Sequence, residues 1–157
     1  MEQKTVFVLG DSISIHYSPF LKNMISSKFK YQQKGLVGEA LKDLDQPNGA
    51  NAGDSNMVLE YLRDENKKGI SYDILLINCG LHDIRVDRST NRIQTEKKRY
   101  EDNLNQICEA ASEMSQRVFW ISTTPVVDRI HYDHVHFTEE VRALQAAFIS
   151  GCLLSIG

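Results

Sequence analysis

Short apolar runs alternate along this chain with longer stretches in which apolar residues recur at helical spacing. Val6-Phe-Val-Leu9, a β-branched and aromatic run bounded by Gly10, predicts a buried strand. Asp73-Ile-Leu-Leu-Ile-Asn-Cys79 is apolar on both faces for most of its length, the pattern of a central parallel strand covered by helices on each side. Phe29 to Gln33 is more polar and suits a sheet edge, and Val118 to Ser122 supplies a fourth strand. Ser18-Pro19 predicts a helix start, with Ser18 as N-cap and Phe20, Leu21, Met24 and Ile25 following at helical spacing. A second helix begins near Asp54 or Ser55 and turns Met57, Val58, Tyr61 and Leu62 inward. In a third, Tyr100, Leu104, Ile107, Ala111 and Met114 form a single stripe. The last starts near Thr138, which can cap it, with Val141, Leu144, Phe148 and Leu153 as core positions. Residues 34 to 53, rich in glycine, form mostly loop, and the charged stretch from Arg85 begins as a surface excursion.

Strands alternating with helices predict an α/β domain with a mainly parallel sheet of four to five strands, one domain over residues 1–157. Composition adjusts this picture little. A net charge of −3 gives no electrostatic footprint for nucleic acid and no basic face for an anionic membrane. Cys79, Cys108 and Cys152 are odd in number and lack CxxC spacing, so they read as small hydrophobes rather than a disulfide framework. No apolar run approaches the roughly 18 residues of a membrane span. The N-terminal run is too short for a signal peptide, which makes a cytoplasmic location the expectation.

In open parallel α/β sheets, ligands sit beyond the carboxyl ends of the strands, where Asp11 and Ser12 follow the first strand. Three further segments fall on the same rim: Asn51-Ala-Gly53, Gly80-Leu-His82-Asp83 and Asp133-His-Val-His136. A serine hydroxyl is a poor nucleophile until a base takes its proton, and that base works best when a carboxylate fixes its tautomer. The three-residue spacing of Asp133 and His136 lets the carboxylate reach imidazole Nδ1 and leaves Nε2 to face Ser12. The backbone N–H groups of Ser12 and Gly53 and the side chain of His82 are candidate oxyanion donors, each worth about 3–4 kcal/mol. Two other chemistries remain open. His131, Asp133, His134 and His136 suggest a metal-dependent hydrolase, although zinc needs a third protein ligand and a supporting shell. Ser12-Ile-Ser14, with Ser18 nearby, suggests a non-catalytic module for phosphate or a nucleotide, but the glycine pattern of a P-loop or dinucleotide fingerprint is missing.

Taken together, Gly10-Asp-Ser12 behind its hydrophobic lead-in, Asn51-x-Gly53, Gly80-x-x-Asp83 and Asp133-x-x-His136 resemble, in order and rough spacing, the blocks of the GDSL or SGNH hydrolases. The resemblance runs from Val6 to His136. It implies a flavodoxin-like three-layer α/β/α sandwich that hydrolyses esters or thioesters with no metal or other cofactor. It also implies Ser12 as nucleophile, His136 as base, Asp133 as orienting acid and Gly53 as a backbone donor. One block departs from the pattern, because His82 stands where the family usually carries asparagine. A neutral imidazole also donates one N–H, but that depends on tautomer and protonation as an amide does not. Few insertions enclose the site, so a shallow cleft for a small acyl group on a bulky alcohol, such as an acetylated sugar, is expected.

Overall fold

A computed structural model of the chain describes residues 3–87, 89–123 and 136–156. In chain order its elements are β1 (Lys4–Leu9), α1 (Ser12–Ile25), β2 (Phe29–Gln33), α2 (Val37–Ala40), α3 (Ser55–Lys67) and β3 (Ile74–Ile77). They continue with β4 (Val86–Asp87), β5 (Arg92–Ile93), α4 (Lys97–Met114), β6 (Val118–Trp120) and α5 (Glu139–Ser155). Four strands form one sheet in the order β2-β1-β3-β6, and every pairing in it is parallel. The polar strand β2 lies at one edge, as its composition predicts, and β1 and β3 run through the centre. Strands β4 and β5 form a separate antiparallel hairpin.

The two-residue periodicity of strand side chains divides the core into two layers. Val6, Val8, Ile74 and Leu76 pack with Tyr17, Leu21 and Ile25 of α1 and Ala146, Ile149 and Leu153 of α5. Phe7, Leu9, Leu75 and Ile77 point the other way, onto Val58, Leu59 and Leu62 of α3 and Ile107, Ala111 and Met114 of α4. The result is a three-layer α/β/α sandwich with a fully parallel four-stranded sheet. Among the described residues, no helix is long and apolar enough to cross a membrane.

Four details differ from the pattern-based expectation. Helix α1 starts at Ser12 rather than Ser18, because the Asp11 side chain already caps it by accepting from Ile13 N. Pro19 therefore lies inside the helix, where it lacks the N–H that would bond the Ile15 carbonyl. In α3, Leu59 is buried while Met57 sits near the surface, so the inward stripe is rotated. In α5, Leu144 is 69% and Phe148 76% exposed, and the inward face is Ala146, Ile149, Ser150 and Leu153. That helix is apolar nearly all round, so spacing alone does not choose its buried face. Thr138 occupies the N-cap of α5 without a side-chain cap bond.

Candidate active site

The chain leaves β1 at Gly10, where a Cβ would fall 2.8 Å from the Ser14 Cβ, so only glycine lets α1 start this close to the strand. Asp11 then holds the first turn, with Oδ1 accepting from Ile13 N at 3.0 Å and its carbonyl accepting from Ser14 Oγ at 2.7 Å. Ser12 is the first residue of the helix, buried, and no described residue accepts from its backbone N–H. Such an open donor is normal in a first helical turn, where the dipole also favours negative charge.

His136, three positions before the start of α5, is buried against this turn. Its Nε2 lies 2.8 Å from Ser12 Oγ, closing a contact between positions 124 residues apart. Sequence reasoning missed a neighbour of this pair. His16, one turn beyond Ser12 on α1, sets its ring edge-on to His136, with centroids 5.0 Å apart and planes at 70°. The spacing of four residues carries that signal, but only once α1 is known to begin at Ser12. Asp133, His131 and His134 lie outside the described residues. Among the described residues, no group of three His, Cys, Asp or Glu side chains is placed to hold a metal ion.

His82 follows β3 and is buried at the same cleft. Burial, and then the positive charge of Arg85, lower its pKa, which keeps the imidazole neutral and able to donate one N–H. Ser12, His82 and His136 together line a cavity of about 880 Å³. Gly53 sits differently. Its backbone is left-handed, at φ +75°, and a Cβ there would come 2.7 Å from that of Pro47. Its N–H donates to Asn51 Oδ1 at 3.0 Å rather than into the cleft. Asn51 is itself anchored, donating from Nδ2 to the Leu44 and Gln46 carbonyls, and Ala52 N donates to the Gly10 carbonyl at 2.9 Å.

A buried polar brace ties the remaining loops together. The Asp83 carboxylate accepts from Ser55 N at 2.9 Å and from Ser55 Oγ at 2.6 Å, at the start of α3. Asn103 Nδ2 of α4 donates to the same Ser55 Oγ at 2.9 Å. Asp54 caps α3 by accepting from Met57 N and also accepts from Gln94 Nε2 at 2.7 Å. Beneath Ser12, complete burial pushes the Asp11 carboxyl up to about 7 against the lowering effect of its backbone hydrogen bonds, and the charge of Asp83 adds a smaller upward push. The second Asp11 oxygen, Oδ2, has no hydrogen-bond partner among the described residues.

The fold and cleft define a class: a parallel α/β sandwich with a serine–histidine pair beyond the carboxyl ends of its central strands. By sequence the chain matches no family model and no curated protein. By structure it is similar to Est24, a carbohydrate acetylesterase from Sinorhizobium meliloti, at 14% identity and a TM-score of 0.47, over 99% of this chain and 100% of that one. It is also similar to the inhibitor-bound form of an aryl esterase from M. smegmatis, at 13% identity and a TM-score of 0.45, over 97% and 99% of the two chains.

Proposed function

We propose that this chain is a serine esterase of the SGNH type that works through an acyl-enzyme on Ser12. The 2.8 Å approach of His136 Nε2 to Ser12 Oγ carries the proposal. Ser12 Oγ attacks the ester carbonyl while its proton passes to His136 Nε2. The tetrahedral oxyanion takes hydrogen bonds from Ser12 N–H and His82 N–H, while Gly53 N–H stays engaged by Asn51 Oδ1 and shapes the loop beside them. Collapse breaks the bond to the alcohol, which leaves with the proton held by His136. A water then gives a proton to His136 as it attacks the acyl carbonyl, and collapse releases the acid as His136 returns that proton to Ser12 Oγ. Asp133 is assigned the role of orienting acid on spacing to His136 alone.

Turnover of p-nitrophenyl acetate tests this directly. Wild type is expected to show a burst of p-nitrophenol and a mass increase of one acetyl group on Ser12, neither of which appears in Ser12→Ala. Equal turnover by the two proteins, or loss of turnover in EDTA without dependence on Ser12, defeats the proposal.

A further inference from the structure

The stretch of the cleft wall that follows Asp83 carries an apolar surface that the two core layers leave exposed among the described residues. Ile84 is 58% exposed, Val86 50% and Ile93 37%. Val86 and Ile93 are direct partners across the β4–β5 ladder, so their side chains share one face of the hairpin. Ile84 lies two residues before Val86, in the turn that follows β3. None of the three belongs to either layer of the core. All three line the cavity that holds Ser12, His82 and His136. Isolated exposed aliphatics are ordinary, but three converging on one cavity wall form a patch of the kind that meets a ligand.

The hairpin also holds this patch at a fixed place. Thr95 N donates to the Asp83 carbonyl at 3.0 Å and Gln94 N to the Arg85 carbonyl at 2.8 Å. Gln94 Nε2 reaches across to Asp54 at the α3 cap. The apolar wall thus springs from the two residues that follow His82 and is tied to the segment that follows Gly53.

We infer that Ile84, Val86 and Ile93 form the subsite for an apolar group on the ester, an acyl chain or an alkyl or aryl alcohol of about four to eight carbons. The inference rests on the esterase proposal and deepens it. An acetyl group on a polar sugar leaves this wall wet, whereas a longer apolar group covers it. Laid on a one-sided wall, each methylene is worth about 1.8-fold in kcat/KM, or about tenfold over four.

Two substrate series measured on wild type and Ser12→Ala decide it. One lengthens the acyl group through p-nitrophenyl acetate, butyrate and hexanoate, and the other varies the alcohol through the acetates of glucose, butanol and 1-naphthol. The expected result is a Ser12-dependent rise in kcat/KM of about tenfold along at least one series, mostly through KM. Ile84→Thr with Val86→Thr flattens that rise, and Ile93→Thr, on the other strand, does so independently. Leu36→Thr, at an exposed aliphatic outside the cavity, keeps it. Ser12-dependent turnover that stays flat or falls along both series overturns the inference and leaves the esterase proposal standing. A rise that survives the hairpin substitutions overturns it as well. Absence of Ser12-dependent turnover for every ester removes the esterase proposal and the inference with it.

Discussion

In one part of the cleft, the turn holding His82 and Asp83 meets the start of α3 through buried side chains bonded to one another, Asp83 and Asn103 both on Ser55, with Asn51 on Gly53 in the neighbouring loop. The β4–β5 hairpin that follows presents branched aliphatics at the surface of the cavity and is anchored at its base by backbone bonds and the Gln94–Asp54 contact rather than by packing of those side chains. Buried polar groups are costly unless fully paired, and once paired they admit few alternative arrangements. Exposed aliphatics tolerate substitution. The wall beside the proposed oxyanion site is thus fixed in geometry, while the wall that meets the rest of the ligand is free to vary.

Five experiments test this contrast, in descending order of effect. Ser12→Ala should lower esterase kcat by about 10⁴-fold or more, read in single-turnover and steady-state assays. The next largest effect concerns stability. The folded pKa of Asp11, near 7, lies above its ordinary value of 3.8, so the native state holds a proton that the unfolded chain releases. Stability from this group is therefore complete below about pH 4 and is lost as pH rises through about 7, by an amount on the order of 4 kcal/mol. Asp11→Asn, which keeps an oxygen for Ile13 N, should remove that slope from urea denaturation curves taken across the window.

His82→Ala should cost about 10²-fold in kcat by removing one donor, and His82→Asn, which restores an amide, should recover most of the loss. An alanine rate within twofold of wild type ends the donor role. Asp83→Ala leaves Ser55 N–H and Oγ buried without their acceptor and should destabilise the fold by about 2–3 kcal/mol, measured by the denaturation midpoint. On the exposed wall, Val86→Thr should change stability by less than about 0.5 kcal/mol. Comparable losses in these last two variants would erase the difference between the walls.

Much of this architecture is legible from pattern alone. The apolar runs at Val6–Leu9 and Ile74–Ile77 have little alternative to central strands, and the polar run at Phe29–Gln33 sits at the edge it suits. Ser12 and His136, paired in the sequence analysis as candidate nucleophile and base, lie 2.8 Å apart between Oγ and Nε2. What was hidden has local physical causes. Ser18-Pro19 imitates a helix start so well that it masks the cap at Asp11, and with it the position of His16 beside His136. Helix α5 carries apolar residues on all sides, so its register against the sheet is decided by packing with α1, which no periodicity reports. The engagement of Gly53 N–H by Asn51 depends on a two-residue side-chain turn, a bond invisible without coordinates. Strands β4 and β5 are two residues each, below the length at which alternation can be recognised.

Because the hairpin begins and ends beside Asp83 and Thr95, it is a detachable part in an engineering sense. Residues 86–93 can be lengthened, shortened or exchanged for a loop of another chemistry while the junction bonds at either end stay as they are. A library confined to those positions would explore new ligand preferences without disturbing the serine–histidine contact across the cleft.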